Sequence, residues 1–372
     1  MLLVAILNMR TRLRMQMPPN NGREQMKIGS LFSGYGGLDI AVEHHFNAET
    51  VWQAEFENAP SKVLAHHWPG VPNHHDVSVV DWSAVEPVDI ITGGFPCQDV
   101  SMAGKRAGMV EGTRSNLWGA MRTAIETIRP QYAVIENVRG LLSATAQSDS
   151  DLEQRPGFMG DGSDVTLRAI GRVLGDLADI GYDAQWHGLR AADIGAPHGR
   201  YRVFILATNT RSQPGGSTEI QSKRICRSGP DDLQTVTYSD SDGRRRGRPL
   251  THQPQHPSSQ NTQRHDASSA RPPQQTNTST AWGDYQPAIK RWERAMGRPA
   301  PKPTQPTRSD GKPQLSPVFV EWMMGLNKGH VTSIDGISRA NQLKMLGNGV
   351  VPQQALAALR VMTERMRHAE AV

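Results

Sequence analysis

The sequence predicts an α/β fold, a largely parallel sheet covered by helices on both faces. Short aliphatic runs of strand length alternate with longer stretches of helical period from Lys27 to Leu206. Glycine-rich turns close several of those runs. At Thr208 the texture changes to a polar, proline-rich stretch, which marks off a smaller and more irregular region.

Residues 1–26 carry no clear period, and Pro18-Pro19-Asn20-Asn21-Gly22 breaks what pattern there is. They read as an N-terminal extension without fixed structure, or as a start upstream of the true one. Lys27-Ile28-Gly29-Ser30-Leu31-Phe32 then reads as a buried strand, and further strands are expected at 50–55, 88–92, 132–136 and 202–207. Helices are expected at 37–46, 57–67, 116–128 and 165–180. Leu38, Ala41, Val42, His45 and Phe46 fall on one helical face, as do Leu117, Met121, Ala124, Ile125 and Ile128. These elements define a body over 27–208.

Residues 209–280 are rich in Ser, Gln, Thr, Pro, Arg and Asp and cannot bury a core of their own. Hydrophobic pattern returns at Trp282 and Trp292. The expected second region is 209–312, with a low-complexity basic loop at about 239–280. A helix is expected over 316–325, with Ser316 as N-cap, Pro317 in its first turn and Gly325 as its stop. A last helix from Pro352 carries Ala355, Leu356, Leu359, Met362 and Met366 on one face, within a closing segment 313–372.

Composition narrows the class. Of 372 residues 37% are hydrophobic, and no run nears the ~20 apolar residues of a membrane span. The two cysteines, Cys97 and Cys226, exclude a disulfide scaffold and a cysteine-rich zinc site, so no metal is expected and a reducing, cytoplasmic setting fits. The net charge of +5 is uneven: Arg211 to Lys328 holds 18 Lys and Arg against 10 Asp and Glu. A near-neutral body with one basic block suits a nucleic-acid surface, and equally a solvated basic loop.

Five places carry chemistry. Phe32-Ser33-Gly34-Tyr35-Gly36-Gly37 follows a strand and opens a helix, and Glu55 ends the next strand, where an acid commonly meets ribose hydroxyls. An ordinary tight β–α turn has the same pattern. Gly93-Gly94-Phe95-Pro96-Cys97-Gln98 presents a thiol at the carboxyl end of a strand, the usual ligand crevice of an open sheet. A buried structural cysteine is the alternative, although such a turn suits burial poorly. Glu136-Asn137-Val138 places a carboxylate at another strand end, as an acid toward a ring nitrogen or as a helix cap. Arg200 and Arg202, two apart on an extended segment, point to one side, and two guanidinium forks suit a carbonyl oxygen and a phosphate. Gly347-Asn348-Gly349-Val350-Val351-Pro352 precedes the last helix and alone reads as an interhelical turn.

Taken in this order, the five elements resemble those of the DNA cytosine-5 methyltransferases, over roughly 27–208 and 313–366. The resemblance implies a Rossmann-like S-adenosylmethionine-dependent methyltransferase sheet with a smaller target-recognition domain. It implies S-adenosylmethionine as donor. Phe32, Gly34, Tyr35 and Gly37 would line its methionine side. Glu55 would hold the ribose, Phe56 would stack on the adenine, and Asp76 with Val77 would flank it. Gly94, Pro96, Leu117, Asn348 and Val350 would complete the pocket. Two departures stand out: His198 replaces the family's glutamine before the arginines, and Leu315–Met323 replaces its Arg-rich ninth motif.

The implied chemistry is covalent. Cys97 would add to cytosine C6, Glu136 would hold or protonate N3, Arg202 would contact O2, and Arg200 would position the ring or the flipped nucleotide's phosphate. The base must leave the duplex, and the loop 98–112 would close behind it. Arg244, Arg245, Arg246 and Arg248 would contact phosphates, or form an exposed charge run. Partners would be duplex DNA and, functionally, a restriction endonuclease, with the protein a monomer. An RNA cytosine-5 methyltransferase and a DNA-binding regulator without catalysis are the rival readings.

Overall fold

Strand residues two apart face the same side of a sheet, and this period sorts the aliphatic runs of the chain into two layers. The computed structural model describes residues 25–95, 117–143, 145–146, 167–210, 282–306 and 311–370. The described residues all fall in one compact unit. Residues 215–279 lie outside the described residues.

In chain order the elements are β1 (Met26–Leu31), α1 (Gly37–Phe46), β2 (Ala48–Ala54), α2 (Asn58–His67), β3 (Ile90–Gly93), α3 (Leu117–Ile128), β4 (Tyr132–Val138), β5 (Thr145–Ala146), β6 (Leu167–Arg168), α4 (Ala169–Asp179), β7 (Tyr182–Arg190) and β8 (Tyr201–Asn209). After the described residues resume come α5 (Gln286–Met296), β9 (Thr304–Pro306), β10 (Pro313–Leu315), α6 (Pro317–Met323), α7 (Arg339–Asn348) and α8 (Pro352–Glu370).

Six strands form the main sheet in the order β2-β1-β3-β4-β8-β7. β1 pairs in parallel with β2 and β3, and β3 with β4. β4–β8 and β8–β7 are antiparallel, with Glu136 opposite Phe204 and Val138 opposite Arg202. Ile90, Val134, Phe204 and Leu206 face the layer of Leu38, Val42, Leu356 and Leu359 from α1 and α8. Ile91, Ile135 and Ile205 face the other way, onto Met121, Ile125, Val173 and Leu177 from α3 and α4. The expected parallel sheet with two covered faces is present, with an antiparallel pair added at one side.

That pair includes β7, which the periodicity did not announce. Its sequence, Tyr-Asp-Ala-Gln-Trp-His-Gly-Leu-Arg, alternates poorly: it is an edge strand with one neighbouring strand, and α4 and α8 pack against it while most of its residues stay only partly buried. Helix α7 was likewise unannounced: few of its residues are apolar, and only Met345 and Leu346 are buried.

A third cluster lies apart from the sheet. Trp292 of α5 is 1% exposed and packs with Phe319 and Trp322 of α6, Leu346 of α7, Val63 of α2 and Tyr35. Trp292 Nε1 donates to the Trp322 carbonyl at 2.9 Å. Of the expected region 209–312 the structure describes 209–210, 282–306 and 311–312, and the aromatic anchors of 282–306 share a core with the closing segment and with α2. The reason is that α5 has an apolar face too large for a lone helix to leave in water.

Candidate active site

The carboxyl ends of β1, β2, β3 and β4 meet the α7–α8 junction around a cavity of about 580 Å³. Phe32, Gly34, Tyr35, Gly37, Glu55, Phe56, Asp76, Val77, Gly94, Leu117, Asn348 and Val350 all line it, as do Glu136 and Arg202. Residues spread over more than 300 positions thus meet at one end of the sheet. Pro96 and Cys97 lie outside the described residues, so the structure speaks only of the strand end that leads to them.

Glu55 builds the first wall. Its Oε2 accepts from the Gly34 N–H and its Oε1 from the Glu57 N–H, both at 2.8 Å. The carboxylate therefore ties the glycine turn to the end of β2 while each oxygen keeps a lone pair for a ligand hydroxyl. Burial raises its pKa, against the pull of the two N–H groups. Phe56, next to it, is 53% exposed at the rim. Asp76 Oδ1 accepts from the Ser78 N–H at 3.0 Å and the Ser78 hydroxyl at 2.6 Å, beside buried Val77.

Glu136 builds the second. It is 7% exposed, and its Oε1 lies 2.6 Å from Arg202 Nε. Oε2 lies so close over Gly94 that a Cβ there would stand 3.0 Å away. Glycine at 94 thus leaves the carboxyl room to lie over the turn after β3 without shifting. Asn137 Nδ2 donates to the Phe95 carbonyl at 2.9 Å and fixes that turn further. Burial raises the Glu136 pKa, and Arg202 and then Arg200 oppose it. A carboxyl so placed holds its proton more readily than an exposed one.

The two arginines part company. Arg202 stays in the cavity beside Glu136. Arg200 does not line it: its Nη1 donates to the Gly347 carbonyl at 2.6 Å, and Nη2 to those of Asn348 and Gly349 at 3.0 and 2.7 Å. The expectation of two forks in one crevice is corrected here. Arg200 precedes β8, so strand alternation does not set its direction.

Tyr35, in the cavity wall, also ties distant segments together. Its hydroxyl donates to the Val350 carbonyl at 2.6 Å, and its ring leaves no room for a Cβ at Gly349, which would lie 1.9 Å from Cε1. Tyr35 holds the 347–350 segment against the turn after β1, and Arg200 holds it against the start of β8. The segment is an interhelical turn and a cavity wall at once. His198, in the glutamine position, has its Nε2 3.1 Å from the Met323 carbonyl.

Several lining residues escaped sequence reading, among them three polar ones that lie together: Ser30, Asp39 and Thr92, with Thr92 Oγ1 donating to Asp39 Oδ1 at 2.6 Å. Asp39 is 1% exposed, and burial pushes its pKa up to about 7. An acid in a helix's first turn reads in sequence as a dipole partner. Its position two residues beyond the paired glycines was the available signal. Among the described residues no cluster of three metal-ligating side chains occurs, and no helix is long and apolar enough to cross a membrane.

Known proteins share this arrangement of sequence. A family model described as C-5 cytosine-specific DNA methylase matches residues 26–364. The Type II methyltransferase M.NgoFVII of Neisseria gonorrhoeae is 32% identical over 189 residues, 50% of this chain and 45% of that protein. The Type II methyltransferase M.Sau3AI of Staphylococcus aureus is 29% identical over 196 residues, 49% of this chain and 43% of that one. The chain spans about half the length of the curated relatives it matches. The crystal structure of S. pombe Dnmt2 methyltransferase aligns with a TM-score of 0.52 at 12% identity, covering 90% of this chain and 98% of its own. That likeness extends to the fold.

Proposed function

The chain belongs to the C-5 cytosine-specific DNA methylase family, and from that premise we propose that it methylates C5 of a flipped cytosine in duplex DNA. The observation that carries the proposal is the buried Glu136–Arg202 pair over Gly94, at the strand end that leads to Cys97.

Cytosine C5 is a poor nucleophile, and addition of a thiolate at C6 makes it enamine-like. Cys97 is the nucleophile. As it adds, Glu136 holds a proton at N3, which its burial favours, and Arg202 donates to O2. The pair is already formed at 2.6 Å, so little reorganisation is needed when the ring enters. Loss of the C5 proton and elimination of Cys97 then release 5-methylcytosine. S-adenosylmethionine supplies the methyl group, and the cavity suits it. Glu55 keeps acceptor capacity for ribose hydroxyls, Phe56 offers a ring face at the rim, Asp76 accepts from an adenine amino group, and Val77 flanks the base. Phe32, Gly34, Tyr35 and Gly37 line the methionine side, and Gly94, Pro96, Leu117, Asn348 and Val350 complete the pocket. Arg200 braces Asn348 and its neighbours and does not touch the ring. The same reading makes duplex DNA the macromolecular partner and the protein a cytoplasmic monomer, with a restriction endonuclease as functional partner.

The test is methyl incorporation from labelled S-adenosylmethionine into duplex DNA and into tRNA. Incorporation into DNA at cytosine C5 is expected. Incorporation into tRNA alone would favour the RNA reading, and cofactor binding without transfer the regulator.

A further inference from the structure

Asp39 is a buried carboxylate whose surroundings do not neutralise it. It sits in the first turn of α1 and lines the cavity between Ser30 of β1 and Thr92 of β3. Thr92 Oγ1 serves its Oδ1 at 2.6 Å. Its Oδ2 is buried and meets no hydrogen-bond partner among the described residues. Ser30 Oγ, close by, donates to Ser33 Oγ at 2.7 Å and gives Asp39 only a weaker contact than Thr92 does. The charged group that acts on Asp39 is another acid, Glu43, one turn along α1. A buried carboxylate oxygen without donor or cation is costly, and the α1 dipole offsets only part of that cost.

We propose that Asp39 Oδ2 accepts from the α-ammonium group of the S-adenosyl cofactor and so orients its amino acid end. This rests on the methyltransferase reading above. The ligand group must be cationic and must carry an N–H. The ammonium meets both conditions; the sulfonium carries charge but no proton to donate. The position agrees, since α1 opens from the same glycine turn that Glu55 anchors.

The experiment measures S-adenosylhomocysteine and its deamino analogue by calorimetry against the wild-type protein, Asp39→Asn and Asp39→Ser. S-adenosylhomocysteine keeps the ammonium and lacks the sulfonium charge. Both variants should bind it roughly tenfold to a hundredfold more weakly at pH 8. The deamino analogue should bind all three proteins alike, which also shows that the variants are folded. Wild-type affinity for S-adenosylhomocysteine should rise between pH 6 and 8 as Asp39 ionises, and Asp39→Asn should show no such rise. Unchanged affinity in the variants, or an equal loss for both ligands, would overturn the proposal. Failure of the wild-type protein to bind S-adenosylhomocysteine would overturn the cofactor reading itself, and the role of Asp39 with it.

Discussion

At Glu136 burial and the Arg202 guanidinium pull the carboxyl in opposite directions, and burial is the larger effect. Glu136→Gln keeps the shape and one hydrogen bond but loses the proton to give. Turnover should fall about 10²–10⁴-fold, with S-adenosylhomocysteine affinity nearly unchanged. Single-turnover methylation and calorimetry check this; a loss confined to ligand affinity would make Glu136 a pocket wall. Cys97→Ser should abolish transfer and keep ligand binding, because a serine hydroxyl is hardly ionised near neutrality. Substantial turnover in that variant would remove Cys97 from its role. Asp39 gives a pH signature in the ligand-free protein. Its ordinary pKa of 3.8 is raised to about 7, so the folded chain keeps a proton that the unfolded chain has released. Stability contributed at low pH is therefore lost as pH rises through that window, by about 4 kcal/mol in all. Asp39→Asn should lose less melting temperature than wild type between pH 5 and pH 8. Parallel pH curves for the two proteins would contradict this.

Arg200 acts between elements, joining the start of β8 to the α7–α8 turn by three hydrogen bonds. Charge-assisted bonds to backbone carbonyls contribute about 1.5–3 kcal/mol each when buried, and less where, as here, water reaches part of the group. Arg200→Ala should weaken S-adenosylhomocysteine binding by roughly tenfold or more, since Asn348 and Val350 lose their brace. The salt dependence of DNA binding should stay the same. A salt slope reduced by about one would instead show a phosphate contact, as the sequence alone suggested.

For the whole molecule, the shared core of α5, α6, α7 and α2 decides which segments are separable. Removing residues 215–279 should leave melting temperature and S-adenosylhomocysteine binding unchanged while weakening DNA binding in a salt-dependent way. Trp292→Ala should cost about 3–5 kcal/mol, because the indole is 1% exposed and its N–H serves the Trp322 carbonyl. Thermal denaturation separates the two outcomes. A mild effect at Trp292 would restore 281–312 as a region independent of the catalytic body.

Local sequence was enough for the strands and helices that bury a strong periodic face. Helix 37–46 matches residue for residue, and the aliphatic runs at 27–32 and 132–136 lie where β1 and β4 form. The glycine turn at 32–37, the strand end at Glu136 and the 347–350 turn were also singled out from sequence and meet at the cavity, since each is a turn or strand end that its own residues build. Sequence did not reveal β7 or α7, whose apolar residues are few because neighbours cover them only in part. It could not tell where Arg200 points, because three carbonyls about 150 positions away capture it. Nor could it show that Asp39 is buried and uncompensated, since that depends on β1 and β3 closing over one turn of α1. Periodicity is a local property and survives in sequence; the direction of a long side chain and the solvation of a charge are set by distant chain, so only the tertiary structure decides them.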